Sequence, residues 1–172
     1  GTAAVKRMDV LPYVRSEFTR RFRFDSFGNP KLKELRERYR LDAVVAPGKD
    51  EFERQVLLLD WVHHRFQKFG RPSCEARGAL EILRAIDEGH TFFCSHYAHV
   101  FVSAAAGLGW IDRELALRRY QDPPQGGSTE HSPTEIWSNQ YRKWVMMDPT
   151  AHMYIEKEGV PLNAYEIRQE WF

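Results

Sequence analysis

The stretch Phe92-Phe93-Cys94-Ser95-His96-Tyr97-Ala98-His99-Val100-Phe101 decides how this chain is read. It follows a segment that ends at Gly89 and opens a helical pattern. Tyr97, Ala98, Phe101, Ala105 and Leu108 recur at helical spacing. Cys94 stands three residues before Tyr97, so it shares that inward face and falls in the first turn. Unpaired backbone N–H groups and the positive end of the helix dipole favour a thiolate there. Taken alone, a cysteine on a helix face is more often a small core residue. As a nucleophile it needs a base from elsewhere in the chain.

The whole-chain totals limit what that base can belong to. With 172 residues and 42% hydrophobic content, the chain can fold as one domain with its own core. A formal net charge of +1 gives no electrostatic case for nucleic acid, and basic residues are scattered outside Arg20-Arg21-Phe22-Arg23. No apolar run approaches the ~20 residues of a membrane span, and no signal peptide is visible. Cys74 and Cys94 do not make a disulfide framework. The chain begins Gly1-Thr2 and is read as part of a longer protein with other domains.

Upstream of the cysteine the periodicity is helical. Residues 1–28, aromatic and basic, read as an arm laid on the domain. Asn29-Pro30 opens a short helix carrying Leu32, Leu35 and Tyr39. Ala46-Pro47-Gly48 breaks the chain. A longer helix is expected from Asp50 to about Lys68, with Phe52, Val56, Leu59, Val62 and Phe66 as its buried stripe. His63 and His64 lie on it, but adjacent side chains diverge and make a poor metal pair. Ser73 reads as the cap of a third helix, with Ala76, Ala79, Leu80 and Leu83 inward and Gly89 at its end. The Cys94 helix is expected to end near Gly107-Leu108-Gly109.

Downstream the period becomes two. Leu115 and Leu117 alternate with polar residues up to Tyr120, which predicts a strand. Gln121 to Glu130, rich in proline and glycine, reads as a mobile loop bordering a cleft. Residues 133–138 and 143–148 read as a hairpin around Asn139, and Tyr154 to Lys157 as a further strand. Asn163 and Glu166 form a capping box for a last helix carrying Ile167. Helices first and antiparallel strands second is an α+β order. Residues 1–45 are expected to be an arm and short helix packed on the core, and 46–172 a single compact catalytic unit.

The hairpin supplies the base. A two-residue turn at Asn139-Gln140 puts His131 directly opposite Asp148, with Cα atoms about 4.5–5.5 Å apart. A slip of two positions keeps both on one face with Glu135 and Met146, and leaves Ile136, Val145 and Met147 facing the core. Pro133 removes a ladder donor and favours an edge or a bulge. A carboxylate beside a histidine fixes its tautomer and stabilises the imidazolium. An imidazolium beside a cysteine makes the thiolate. Cys94, His131 and Asp148 are sufficient parts for nucleophilic acyl chemistry, with no cofactor and no metal. Spacing alone does not carry the thiol to the imidazole.

Other polar residues receive plainer readings. His96 lies roughly 200° around the helix from Cys94, so Cys94, His96 and His99 cannot face one zinc ion. His152, just after Asp148-Pro149, is a loop histidine or lines the cleft. Glu135 faces the cleft or is solvated. Trp137 and Trp144 are packing residues, and Cys74 is structural or a free thiol.

Gly89-His90-Thr91-Phe92-Phe93-Cys94, followed by Tyr97-Ala98 and Phe101, resembles the nucleophile box of the transglutaminase-like superfamily. His131 with Glu135-Ile136, then Lys143-Trp144-Val145-Met146-Met147-Asp148-Pro149-Thr150, resembles its histidine and aspartate boxes. Trp61-Val62, and Ala79-Leu80 with Leu83, also fit. The likeness spans about residues 50–150 and departs from the family at Phe93 and Pro133. It implies an α+β fold with a papain-like core: a nucleophile-bearing helix on an antiparallel sheet, here with extra N-terminal helices. It also implies a Cys94–His131–Asp148 triad acting on a protein or peptide substrate. The rival expectations are a non-catalytic module that binds peptide or a partner protein, and a structural domain of a larger secreted or periplasmic protein.

Overall fold

The structure is a computed structural model that describes residues 16, 17, 20, 26–118 and 130–171. Most of the expected arm, together with Tyr120 and nearly all of the Gln121–Glu130 loop, lies outside the described residues. Helix α1 (Pro30–Arg38) starts where the sequence places it, because the Asn29 side chain accepts the Lys31 N–H. Leu32 and Leu35 are buried. A short α2 (Leu41–Val45), not expected from the pattern, follows a left-handed Arg40 (φ 51°) and buries Leu41 and Val45. Asp50 caps α3 (Glu51–Arg65) by accepting the Glu53 N–H. That helix stops before Lys68 because Phe66 turns extended, although Phe66 still reaches the core and stacks on Tyr97. Val56 is only half-buried, while Gln55 and Leu58 take inward positions. Helix α4 (Ala79–Asp87) begins later than Ser73. The Ser73 hydroxyl instead pairs with His90 and accepts the Thr91 N–H. Gly89, at φ 89°, ends this segment as expected.

Helix α5 (Cys94–Gly107) is central, packing against α1, α3 and α4. Gly107 permits a close approach, since an added Cβ would stand 3.1 Å from the Leu32 carbonyl oxygen. Arg36 Nη1 donates to the Gly107 carbonyl at the same contact. The other side of α5 meets strands β1 (Asp112–Glu114) and β4 (Thr134–Ser138). With β5 (Lys143–Asp148) and β6 (Met153–Tyr154) they form an antiparallel sheet ordered β1-β4-β5-β6. Ile136, Val145 and Met147 point into the core shared with Phe101 and Ala105, as alternation predicts. Strands β2 (Leu117–Arg118) and β3 (Glu130–His131) form one ribbon, and β7 (Glu156–Lys157) and β8 (Val160–Pro161) another. Helix α6 (Ala164–Trp171) closes the chain on the expected reciprocal cap: Glu166 accepts the Asn163 N–H, and Asn163 Oδ1 accepts the Glu166 N–H.

The hairpin has the slipped register. Ile136 faces Val145 and Ser138 faces Lys143, so residues 139–142 form a four-residue loop. Glu51 at the start of α3 fixes that loop, accepting Asn139 Nδ2 at 2.7 Å and the Gln140 N–H at 3.0 Å. Arg142 then turns left-handed, with φ 54°. The direct His131–Asp148 pairing of a two-residue turn is therefore corrected. Pro133 divides β3 from β4, and His131 pairs across its ribbon with Leu117. The strand expected from Leu115 to Tyr120 is present among the described residues only as β2. The Leu115 N–H donates to the Pro133 carbonyl in the register that β1–β4 and β2–β3 share, but Pro133 has no N–H to return a bond.

Candidate active site

Cys94 is the first residue of α5. Phe93 stands at the cap with extended backbone and no side-chain acceptor for the first-turn N–H groups. The thiol is unoxidised and half-buried. Phe92 is wholly buried and forms a bridge with Phe69, which brings Phe69 alongside the cysteine loop. Phe69 and Phe93 are 60% and 39% exposed, with ring centres 6.5 Å apart. Two solvent-facing aromatic rings therefore lie close together at the loop that leads into Cys94.

His131 and Asp148 meet even though the ladder does not pair them. His131 Nε2 donates to Asp148 Oδ2. The carboxylate is 2% exposed and anchored on its other oxygen, where Oδ1 accepts the N–H groups of Thr150 at 2.9 Å and Ala151 at 3.0 Å. An ionised carboxylate only accepts, so the ring nitrogen bonded to Asp148 is the donor and Nδ1 is left for another partner. The His131 side chain is 40% exposed. Two of the three site residues read from the sequence are thus in contact. Among the described residues, no hydrogen bond joins the Cys94 thiol to either of them.

The neighbouring polar groups differ from expectation in instructive ways. Glu135 neither faces a cleft nor lies in solvent. It is buried, accepts two N–H groups of Arg113 at 3.0 and 2.6 Å, and caps α6 by accepting the Ala164 N–H at 2.9 Å. His99 pairs with Glu114 and His96 packs on the Phe92 ring. Burial, then the neighbouring His99, hold His96 below its usual pKa, so it stays neutral at pH 7. His152 turns toward α3, with Nε2 3.1 Å from Asp60 Oδ1. The sequence reading missed Asp60. Its signal was the spacing of four to His64, which places both on one face of α3.

Helices packed on an antiparallel sheet make an α+β fold that this chain shares with solved structures. One is a candidate cysteine protease from Cytophaga hutchinsonii, at TM-score 0.51 and 15% identity, over 70% of this chain and 37% of that one. Another is the periplasmic domain of TgpA from Pseudomonas aeruginosa, at TM-score 0.51 and 21% identity, over 76% of this chain and 45% of that one. The same domain bound to ethylmercury gives TM-score 0.50 and 21% identity, with coverage of 76% and 47%. At such identity the likeness is one of fold, and this chain spans less than half the length of each. No protein-family model matches the sequence, and no curated protein matches it.

Proposed function

We propose that the chain is a cysteine-dependent acyl-transfer enzyme of the transglutaminase-like type, acting on a peptide-like amide. Cys94 sulfur attacks the amide carbonyl carbon, and the oxyanion that forms takes the Cys94 backbone N–H at the helix start. His131 keeps the thiol ionised, then passes its proton to the leaving amine as the C–N bond breaks. Water adds to the thioester with His131 as base, and the acid leaves as the thiol returns. Asp148 holds the His131 tautomer throughout. The observation that carries this reading is the His131–Asp148 hydrogen bond, made by a buried carboxylate already fixed by two backbone N–H groups. The exposed Phe69 and Phe93 give an apolar substrate side chain a place at the loop that leads into Cys94.

A short iodoacetamide pulse read by mass spectrometry tests it. Cys94 should alkylate at least about tenfold faster than Cys74 near neutral pH. Equal labelling, or Cys74 first, favours the second reading, a non-catalytic module that binds peptide through the aromatic pair. That reading draws on the missing thiol–imidazole hydrogen bond among the described residues. Among those residues no helix is long and apolar enough to cross a membrane. A neighbour in fold is a periplasmic domain, which supports a location outside the cytoplasm.

A further inference from the structure

Asp60 and His64 lie one turn apart on the exposed face of α3. His152 reaches them from the turn that follows β5. Asp60 Oδ1 stands 3.2 Å from His64 Nδ1 and 3.1 Å from His152 Nε2, and the three ligand atoms all lie within 4.8 Å of one another. Tetrahedral zinc binds nitrogen and carboxylate oxygen at about 2.0–2.2 Å, which sets ligand atoms about 3.3 Å apart. The two short separations are close to that edge length. His152 holds its position against backbone preference, with a left-handed φ of 54°. It is also braced: His63 stacks flat on it, ring centres 4.5 Å apart and 9° from parallel. His63 is itself fixed, since its Nδ1–H donates to the Pro149 carbonyl at 3.1 Å.

We propose that Asp60, His64 and His152 form a binding site for a zinc-class divalent cation, with the fourth position open to water. Two imidazoles and one carboxylate suit zinc, whereas calcium takes oxygen ligands. Binding displaces the protons that now bridge these atoms, and His64 must leave the hydrogen bond that its Nδ1 makes to the Asp60 carbonyl. The bound ion ties α3 to residues 149–152, the turn whose Thr150 and Ala151 N–H groups hold Asp148. Its role here is to steady that turn, and it takes no part in the acyl chemistry proposed above.

Zinc binding is measured by equilibrium dialysis on the whole chain in a Cys74→Ser, Cys94→Ser background, so that thiols do not compete. One zinc ion per chain is expected. The melting temperature should rise by about 5–10 °C at a hundredfold excess over Kd, and the same concentration of calcium should do nothing. His64→Ala and His152→Ala should each weaken binding tenfold or more, while His90→Ala, at a half-buried histidine elsewhere, should not. Melts of the metal-free variants establish that they are folded; both replaced side chains are on the surface, so folding is expected. No binding near 100 µM zinc, or binding that survives either His64→Ala or His152→Ala, overturns the site.

Discussion

Asp112 faces β4 from the edge strand and is almost wholly buried, and its Oδ2 has no hydrogen-bond partner among the described residues. Burial, with the nearby Glu114 charge adding to it, pushes its pKa up to about 9. The folded chain therefore keeps a proton at 112 that the unfolded chain gives up above about pH 4. The sign follows: this residue lowers stability progressively as pH rises from about 4 to about 9. Asp112→Asn removes that slope. Between pH 5 and 8 the wild type should lose up to about 4 kcal/mol relative to the variant, from three pH units at ~1.36 kcal/mol each. Urea melts of both proteins at the two pH values measure it, and parallel stability curves would contradict the protonated carboxyl. No pattern in the sequence announces this residue. Its perturbation comes from the helix packed over β1, which only the fold supplies.

At the scale of elements, the Arg113–Glu135 pair joins four of them. Arg113 on β1 donates twice to Glu135 on β4, which also receives the first N–H of α6. The guanidinium lies over the Trp144 ring on β5, 4.2 Å from its centre. Arg113→Ala strands a buried carboxylate. It should destabilise the chain by about 2 kcal/mol, less than the ~3–5 kcal/mol of a fully buried pair because Arg113 is half exposed. Denaturant melts check this, and a change under about 0.5 kcal/mol would show that Glu135 is satisfied without it. The elements themselves were legible to the extent that their signals are local. Asn29-Pro30, Asp50 and the Asn163–Glu166 box mark helix starts by capping chemistry, and the 3.6-residue pattern marks the core face of α5. The hairpin register was not fixed by local signals. Its four-residue loop depends on Glu51, some ninety residues earlier in the chain, whose carboxylate clasps Asn139 and Gln140. The start of α4 was misread because the Ser73 hydroxyl serves His90 and Thr91 instead of a helix.

At the scale of the molecule, α5 lies between a helical layer and the sheet, and the chain's two halves each bring one part of the candidate chemistry to it. The helical half presents Cys94 at a helix start, and the strands deliver the His131–Asp148 pair from opposite sides of Pro133. Residue types in the sequence named all three. The His131–Asp148 contact was reached by the wrong register, because the side chains meet across a ribbon boundary and not along one ladder. The central claim is that this pair controls the Cys94 thiol, and Asp148→Asn tests it most directly. The asparagine carbonyl can still accept the Thr150 and Ala151 N–H groups, so the fold should survive with little change in its melt. Its NH₂ then faces the ring, favours the proton on Nδ1, and takes the lone pair away from the thiol side. The measurement is the Cys94 iodoacetamide rate against pH for both proteins, with circular dichroism melts alongside. The account predicts a rate at neutral pH lower by about tenfold and a profile displaced to higher pH; superimposable profiles in a folded variant would contradict it.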